Sequence, residues 1–166
     1  MENRVKSIPE GHHSITPSLI VDRAGEAIEF YKKAFGATLT FKQDRQDGKV
    51  MHSTLKIGDS IIMLADECRP HEGHEEACPR SPAALKGTSI NLYLYVKDVD
   101  AIFKRAIASG GHEIMPLGDM FWGDRIGILK DPFGHVWTVA TKKENLKPEQ
   151  MKERMAEFCA QHSAVC

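Results

Sequence analysis

Four places in the chain combine side chains that could bind or transform a small molecule. His52 stands inside the run VMHSTLKIG, where an imidazole with a reference pKa near 6.5 could shuttle a proton or anchor a ligand. A hydrogen-bonded structural histidine is the plainer alternative. The segment MFWGDR offers Trp122, with a flat face and one N–H donor, and Arg125, a fork suited to a carboxylate or phosphate. The plainer alternative there is a tight hairpin, with Trp122 packed and Arg125 paired to Asp124 or Asp131. Cys68, His71, His74 and Cys78 are ligand types for zinc, with Glu72, Glu75 and Glu76 among them. Four ligands crowded into so short a stretch would strain a tetrahedron, so a solvated loop is the expected reading. Asp131-Pro132-Phe133-Gly134 has turn chemistry and reads as structural.

These residues need elements to hold them. Ser14 to Val21 reads as an extended stretch, with Pro17 fitting a strand start. Asp22 could cap a helix over 24–35, whose Ala27, Ile28, Tyr31, Ala34 and Phe35 form one apolar stripe ended by Gly36. Strands are expected over 38–44, 50–57 and 60–65, with Asp47-Gly48 making a hairpin turn. Residues 68–88 are charged, rich in proline and glycine, and read as a linker or flap. The order then repeats: a strand over 89–96, Asp98 as a cap, a helix over 99–109, and strands over 113–115, 125–130 and 135–141. Ala27-Ile28 matches Ala101-Ile102 and SIIMLA matches HVWTVA at an offset of about 75 residues. A duplicated βαβββ module follows, spanning 14–67 and 89–142, with an amphipathic C-terminal helix over 146–162. Met151, Met155, Phe158 and Cys159 lie on one face of that helix.

Composition narrows the function classes. The chain has 166 residues, 42% hydrophobic and 27% charged, as in ordinary globular proteins. Its 22 basic and 23 acidic residues are well mixed, leaving no footprint for nucleic acid. No apolar run approaches the roughly 20 residues that cross a bilayer, so no membrane partner is expected. The polar start MENRVKSIPEGHHS lacks a signal-peptide core, which points to the cytoplasm. The four cysteines do not form a disulfide framework and read as reduced thiols.

Two segments, SITPSLIVDRAGEAIEFYKKAFGA and MFWGDRIGILKDPFGHVWTVAT, resemble the vicinal oxygen chelate superfamily. The likeness is strongest to the PhnB-like branch of glyoxalase/bleomycin-resistance proteins. The resemblance implies an α+β fold in which two βαβββ modules form an open-sided mixed β-barrel around a ligand cavity. It also implies a homodimer. Metal-dependent members of the superfamily place ligands on the first and last strand of each module. The equivalent positions here are Thr16, Met63, Asn91 and Thr138, none a good ligand for a divalent ion. The expectation is therefore a protein without the usual metal centre and with no cofactor. Strand alternation turns Leu19, Val21, Leu92 and Leu94 toward the helices. Thr16, Ser18, Asn91, Tyr93, Tyr95 and Thr138 then face the cavity, giving the polar and aromatic make-up of a ligand pocket. Of these, Thr16, Ser18, Asn91, Tyr93 and Thr138, together with His52, Met63, Trp122 and Arg125, form the candidate small-molecule site. No pattern identifies a catalytic group. A metal-dependent lyase, isomerase or dioxygenase remains the alternative, and a protein-interaction module built on the flap and C-terminal helix is a third.

Overall fold

The computed structural model describes residues 5–68 and 78–161. His71 and His74 of the proposed zinc loop lie outside the described residues.

The chain folds as the duplicated pattern requires. The first module runs β1 (Ser18–Val21), α1 (Ala24–Phe35), β2 (Thr38–Asp44), β3 (Val50–Ile57) and β4 (Ser60–Asp66). A one-turn helix α2 (Pro82–Leu85) follows, capped by the Ser81 hydroxyl on the Ala84 amide. The second module runs β5 (Asn91–Tyr95), α3 (Val99–Ala108), β6 (His112–Asp119), β7 (Asp124–Lys130) and β8 (Val136–Lys142), and α4 (Pro148–Gln161) closes the order. Each module forms its own four-stranded mixed sheet, in the orders β1-β4-β3-β2 and β5-β8-β7-β6. In each, the first strand pairs parallel to the last, and the other neighbours are antiparallel. The two sheets are not joined into a closed barrel. β6 is longer than expected because register shifts around Met115 and Gly118 carry pairing past Pro116.

Local chemistry explains the helix ends. Gly36 ends α1 at φ +71°, a backbone region open to glycine; its amide donates to the Lys32 carbonyl and the Ala37 amide to that of Tyr31. Asp98 caps α3 as expected, accepting from the Ala101 amide at 3.0 Å. Asp22 does not cap α1. The Ala24 amide is instead bound at 2.9 Å by Asp66 at the end of β4, whose second oxygen accepts from the Val50 amide at 2.8 Å. In the second module Thr141 takes the corresponding place, accepting from the Val99 amide at 2.9 Å and donating to the Val96 carbonyl at 2.8 Å.

The two modules share one apolar core. Leu19, Leu55 and Leu64 from the first sheet meet Leu129, Trp137 and Val139 from the second, with Tyr31, Phe35 and Phe103 from the helices between them. Each such buried side chain stabilises the fold by roughly 1.5–3 kcal/mol. The Phe35 and Trp137 rings lie 4.6 Å apart, and Arg105 on α3 donates to the Ala34 carbonyl of α1 at 2.9 Å. Both sheets therefore turn one face inward, and the opposite outer faces carry the alternate residues.

The cysteines depart from expectation. Cys68 and Cys78 form a disulfide, with Cα atoms 5.8 Å apart, and Cys159 is also disulfide-bonded. The two ends of the 68–88 segment are drawn together from outside: Glu67 accepts from the Ser81 amide, and Arg45 donates to the Glu67 carbonyl at 2.8 Å. That approach brings the two Cα atoms within the usual span of a disulfide. It also removes Cys68 and Cys78 as thiolate ligands for zinc.

Candidate functional site

The outer face of the second sheet concentrates the chemistry. Register places Tyr93 beside Thr138, Tyr95 beside Ala140, and Asp124 beside Lys142, so these side chains share a face with Ile126 and Ile128. Asp124 is only 3% exposed and acts as the acceptor at the centre. Its Oδ2 accepts from the Tyr95 hydroxyl at 2.9 Å, the Trp122 indole at 3.1 Å and, at longer range, the Tyr93 hydroxyl at 3.4 Å. Lys142 places its ammonium 3.1 Å from Oδ1 and donates to the Trp122 carbonyl at 3.0 Å. A buried carboxylate is tolerable only with such partners.

The partners also set the protonation states. Burial pushes the Asp124 carboxyl upward, but hydrogen bonds from Lys142 and Tyr95 outweigh it and hold it below its ordinary value. The hydrogen bond to that anion pushes the Tyr95 phenol up to about 12. Burial, followed by the Asp124 charge, raises Tyr93 as well. The cluster is thus an anion held by neutral phenols, an indole and one ammonium. The Tyr93 and Tyr95 rings, 5.1 Å apart, leave a partly exposed aromatic surface beside it.

Next to the cluster lies an apolar hollow of about 480 Å³. Its floor is Ile126 and Ile128, its sides include Met115 and Phe121, and Met155 and Phe158 of α4 face it. Trp122 lines the hollow and donates to Asp124, so it joins the apolar and polar parts.

The candidate residues fall into separate groups. Tyr93, Trp122, Asn91 and Thr138 belong to the second sheet's outer side; the Asn91 amide donates to the Thr138 hydroxyl at 2.8 Å. Ser18, Met63 and His52 sit on the outer side of the first sheet, where Ser18 pairs with Met63 and Met63 with Thr54. His52 lies 3.3 Å from the Thr54 hydroxyl, and its ring is 5.9 Å from that of Phe41. Thr16 donates to the His13 carbonyl at 3.3 Å and shares with Tyr93 a smaller hollow of about 180 Å³ at the seam between the modules. Arg125 is not brought to the aromatic cluster. It points to the α3 side, where its guanidinium grips Asp100 at 2.8 and 3.0 Å and reaches Asp119 at 3.3 Å. Two important groups were not singled out from the sequence, Asp124 and Lys142. Asp124 stands two residues before Ile126, in phase with the outer face, and that spacing was the available signal.

The model of the Glyoxalase/Bleomycin resistance protein/Dioxygenase superfamily matches residues 12–139. The chain belongs to this superfamily. It is 36% identical to the Mycobacterium bovis protein Mb0911c over 143 residues, covering 86% of this chain and 92% of the relative. Among solved structures it is similar to TioX from Micromonospora sp. ML1, with a TM-score of 0.60, 25% identity, and coverage of 78% of this chain and 98% of that one. A PhnB protein from Bacillus cereus shares the fold at a TM-score of 0.59 and 23% identity, covering 78% and 99% of the two chains. Within the superfamily fold, the four positions implied for a metal do not suit one. Asn91 and Thr138 are bonded to each other, Thr16 is bonded to backbone, and Met63 offers a soft thioether. None supplies a carboxylate or imidazole.

Proposed function

We propose that this superfamily member binds a small, planar, partly aromatic molecule on the outer face of its second sheet, without the metal centre of metal-dependent relatives. The observation that carries the reading is the hollow beneath α4 joined through Trp122 to the Asp124 cluster. Methionines and aromatic rings adapt to flat polarizable surfaces. The adjoining phenols, carboxylate and ammonium supply the few polar contacts that fix orientation. The superfamily includes bleomycin-resistance proteins as well as dioxygenases, and the donor set at the four metal positions favours the former.

A library of planar aromatic compounds, screened by thermal shift without added metal, tests the proposal. A true ligand at 100 times its dissociation constant should stabilise the fold by about 2.7 kcal/mol. Trp122→Ala should weaken that ligand by roughly 10- to 100-fold, the scale of one lost aromatic contact with its buried area. Binding that appears only with added divalent metal, or that ignores Trp122→Ala, would overturn the reading.

The proposal includes a homodimer in which the first-sheet outer face of one copy covers the second-sheet outer face of the other. Phe41, Tyr93 and Tyr95 are large side chains left exposed on those faces, and burying them is the favourable step. Sedimentation equilibrium should give a dimer at micromolar concentration, and Phe41→Glu should yield monomers. A wild-type monomer under those conditions would refute this arrangement.

A further inference from the structure

The helix α4 lies beyond residues 12–139, the stretch that the superfamily model covers, yet it forms part of the hollow. Its sequence is polar apart from one stripe, and Met155, Phe158 and Cys159 of that stripe face the hollow. The Phe158 ring packs on Phe121, with ring centroids 5.5 Å apart. The two rings therefore pack against each other and close one side of the hollow above Ile126 and Ile128.

The helix is also fastened to the loop that carries Trp122. The Arg154 guanidinium donates to both oxygens of Glu144, at 3.1 and 2.8 Å. The amides of Lys143 and Glu144 both donate to the Gly123 carbonyl, at 2.9 and 3.0 Å. Gly123 has φ +87°, and a Cβ there would stand 2.7 Å from the Glu144 carbonyl oxygen. Only glycine lets the two segments come so close. A chain of contacts therefore runs from Trp122 through Gly123 and Glu144 to Arg154 and the helix.

We infer that α4 is a wall of the ligand site, in which Phe158 and Met155 touch the ligand and set its size. Arg154 is a positioning residue that holds the wall against Glu144. The class of ligand this selects is a flat, apolar ring system that lies against the Phe121–Phe158 pair above Ile126 and Ile128, with a polar end directed to Lys142 and the phenols. The inference rests on the proposed function of the same face.

The test uses the full-length chain and 1-anilinonaphthalene-8-sulfonate, a fluorescent probe with a flat naphthalene ring and an anionic end. Phe158→Ala should weaken probe binding about tenfold, a typical loss for one aromatic wall. Arg154→Glu should weaken it several-fold through faster dissociation, and the swap Glu144→Arg with Arg154→Glu should restore it. Restoration by the swap assigns the effect to the Arg154–Glu144 tie, and a weakened probe with an unchanged melting curve in Arg154→Glu distinguishes positioning of the wall from a general loss of stability. If Phe158→Ala fails to fold, Phe158→Leu replaces it and should show the same direction of change. Binding that Trp122→Ala weakens but the α4 variants leave within twofold overturns the inference and leaves the proposed function standing. A wild-type chain that does not bind the probe overturns both.

Discussion

Asp131→Ala should lower the thermal midpoint by roughly 8–16 °C, from a loss of about 4 kcal/mol. The Asp131 side chain is wholly buried and accepts four hydrogen bonds. The Tyr31 hydroxyl donates at 2.7 Å, the Trp137 indole at 2.9 Å, and the amides of Phe133 and His135 at 2.9 Å each. Removing the carboxylate leaves four buried donors without an acceptor, each costing about 1–3 kcal/mol unless the site relaxes or admits water. Tyr31 comes from α1 of the first module and the others from the second, so the same carboxylate ties the halves together. Asp131→Asn keeps one oxygen but turns an NH₂ toward donors, and should lie between wild type and alanine. Differential scanning calorimetry checks both; an alanine variant melting within about 2 °C of wild type would contradict the account.

Gly127→Ala should cost about 2 kcal/mol, or roughly 4–8 °C. A Cβ at this position in β7 would stand 2.6 Å from the edge of the Phe103 ring on α3. That ring is buried in the shared core and has no solvent side into which to turn. The strand and helix must part, or the ring must leave its rotamer, and both forfeit packing. The check is a double-mutant cycle with Phe103→Leu. Leucine vacates the space that the new methyl needs, so the double variant should be more stable than the two single losses predict by about 1 kcal/mol. Strict additivity would show that the clash is not the cause.

What could be read in advance follows from the range of each interaction. The duplicated order was legible because apolar stripes such as Ala27, Ile28, Tyr31 and Phe35 and turn residues such as Gly36 act within a few residues. Asp98 was legible for the same reason. Asp22 was an equally good local cap, but Asp66 competes for the Ala24 amide from 42 positions away, and spacing does not reveal such partners. Within the site, alternation placed Tyr93, Tyr95, Asn91 and Thr138 on one side; of the α4 stripe, Met155, Phe158 and Cys159 line the hollow and Met151 does not. The partner of Arg125 was not legible, because spacing offers only Asp124 and Asp131, which are near in sequence, whereas Asp100 is near in space. The cysteine pairing depended on how Glu67, Ser81 and Arg45 bring the ends of a segment together, a tertiary effect with no periodic signature.

The matched positions Asp66 and Thr141 show that duplication has preserved a bond while exchanging the residue that makes it. A hydroxyl donor and acceptor at Thr141 could be reproduced by serine with both bonds intact. Asp66 needs two separate acceptor oxygens for Ala24 and Val50, and an amide side chain has only one. Mutational drift should therefore be tolerated unequally: the N-terminal copy has lost freedom at a position where its twin still has a choice.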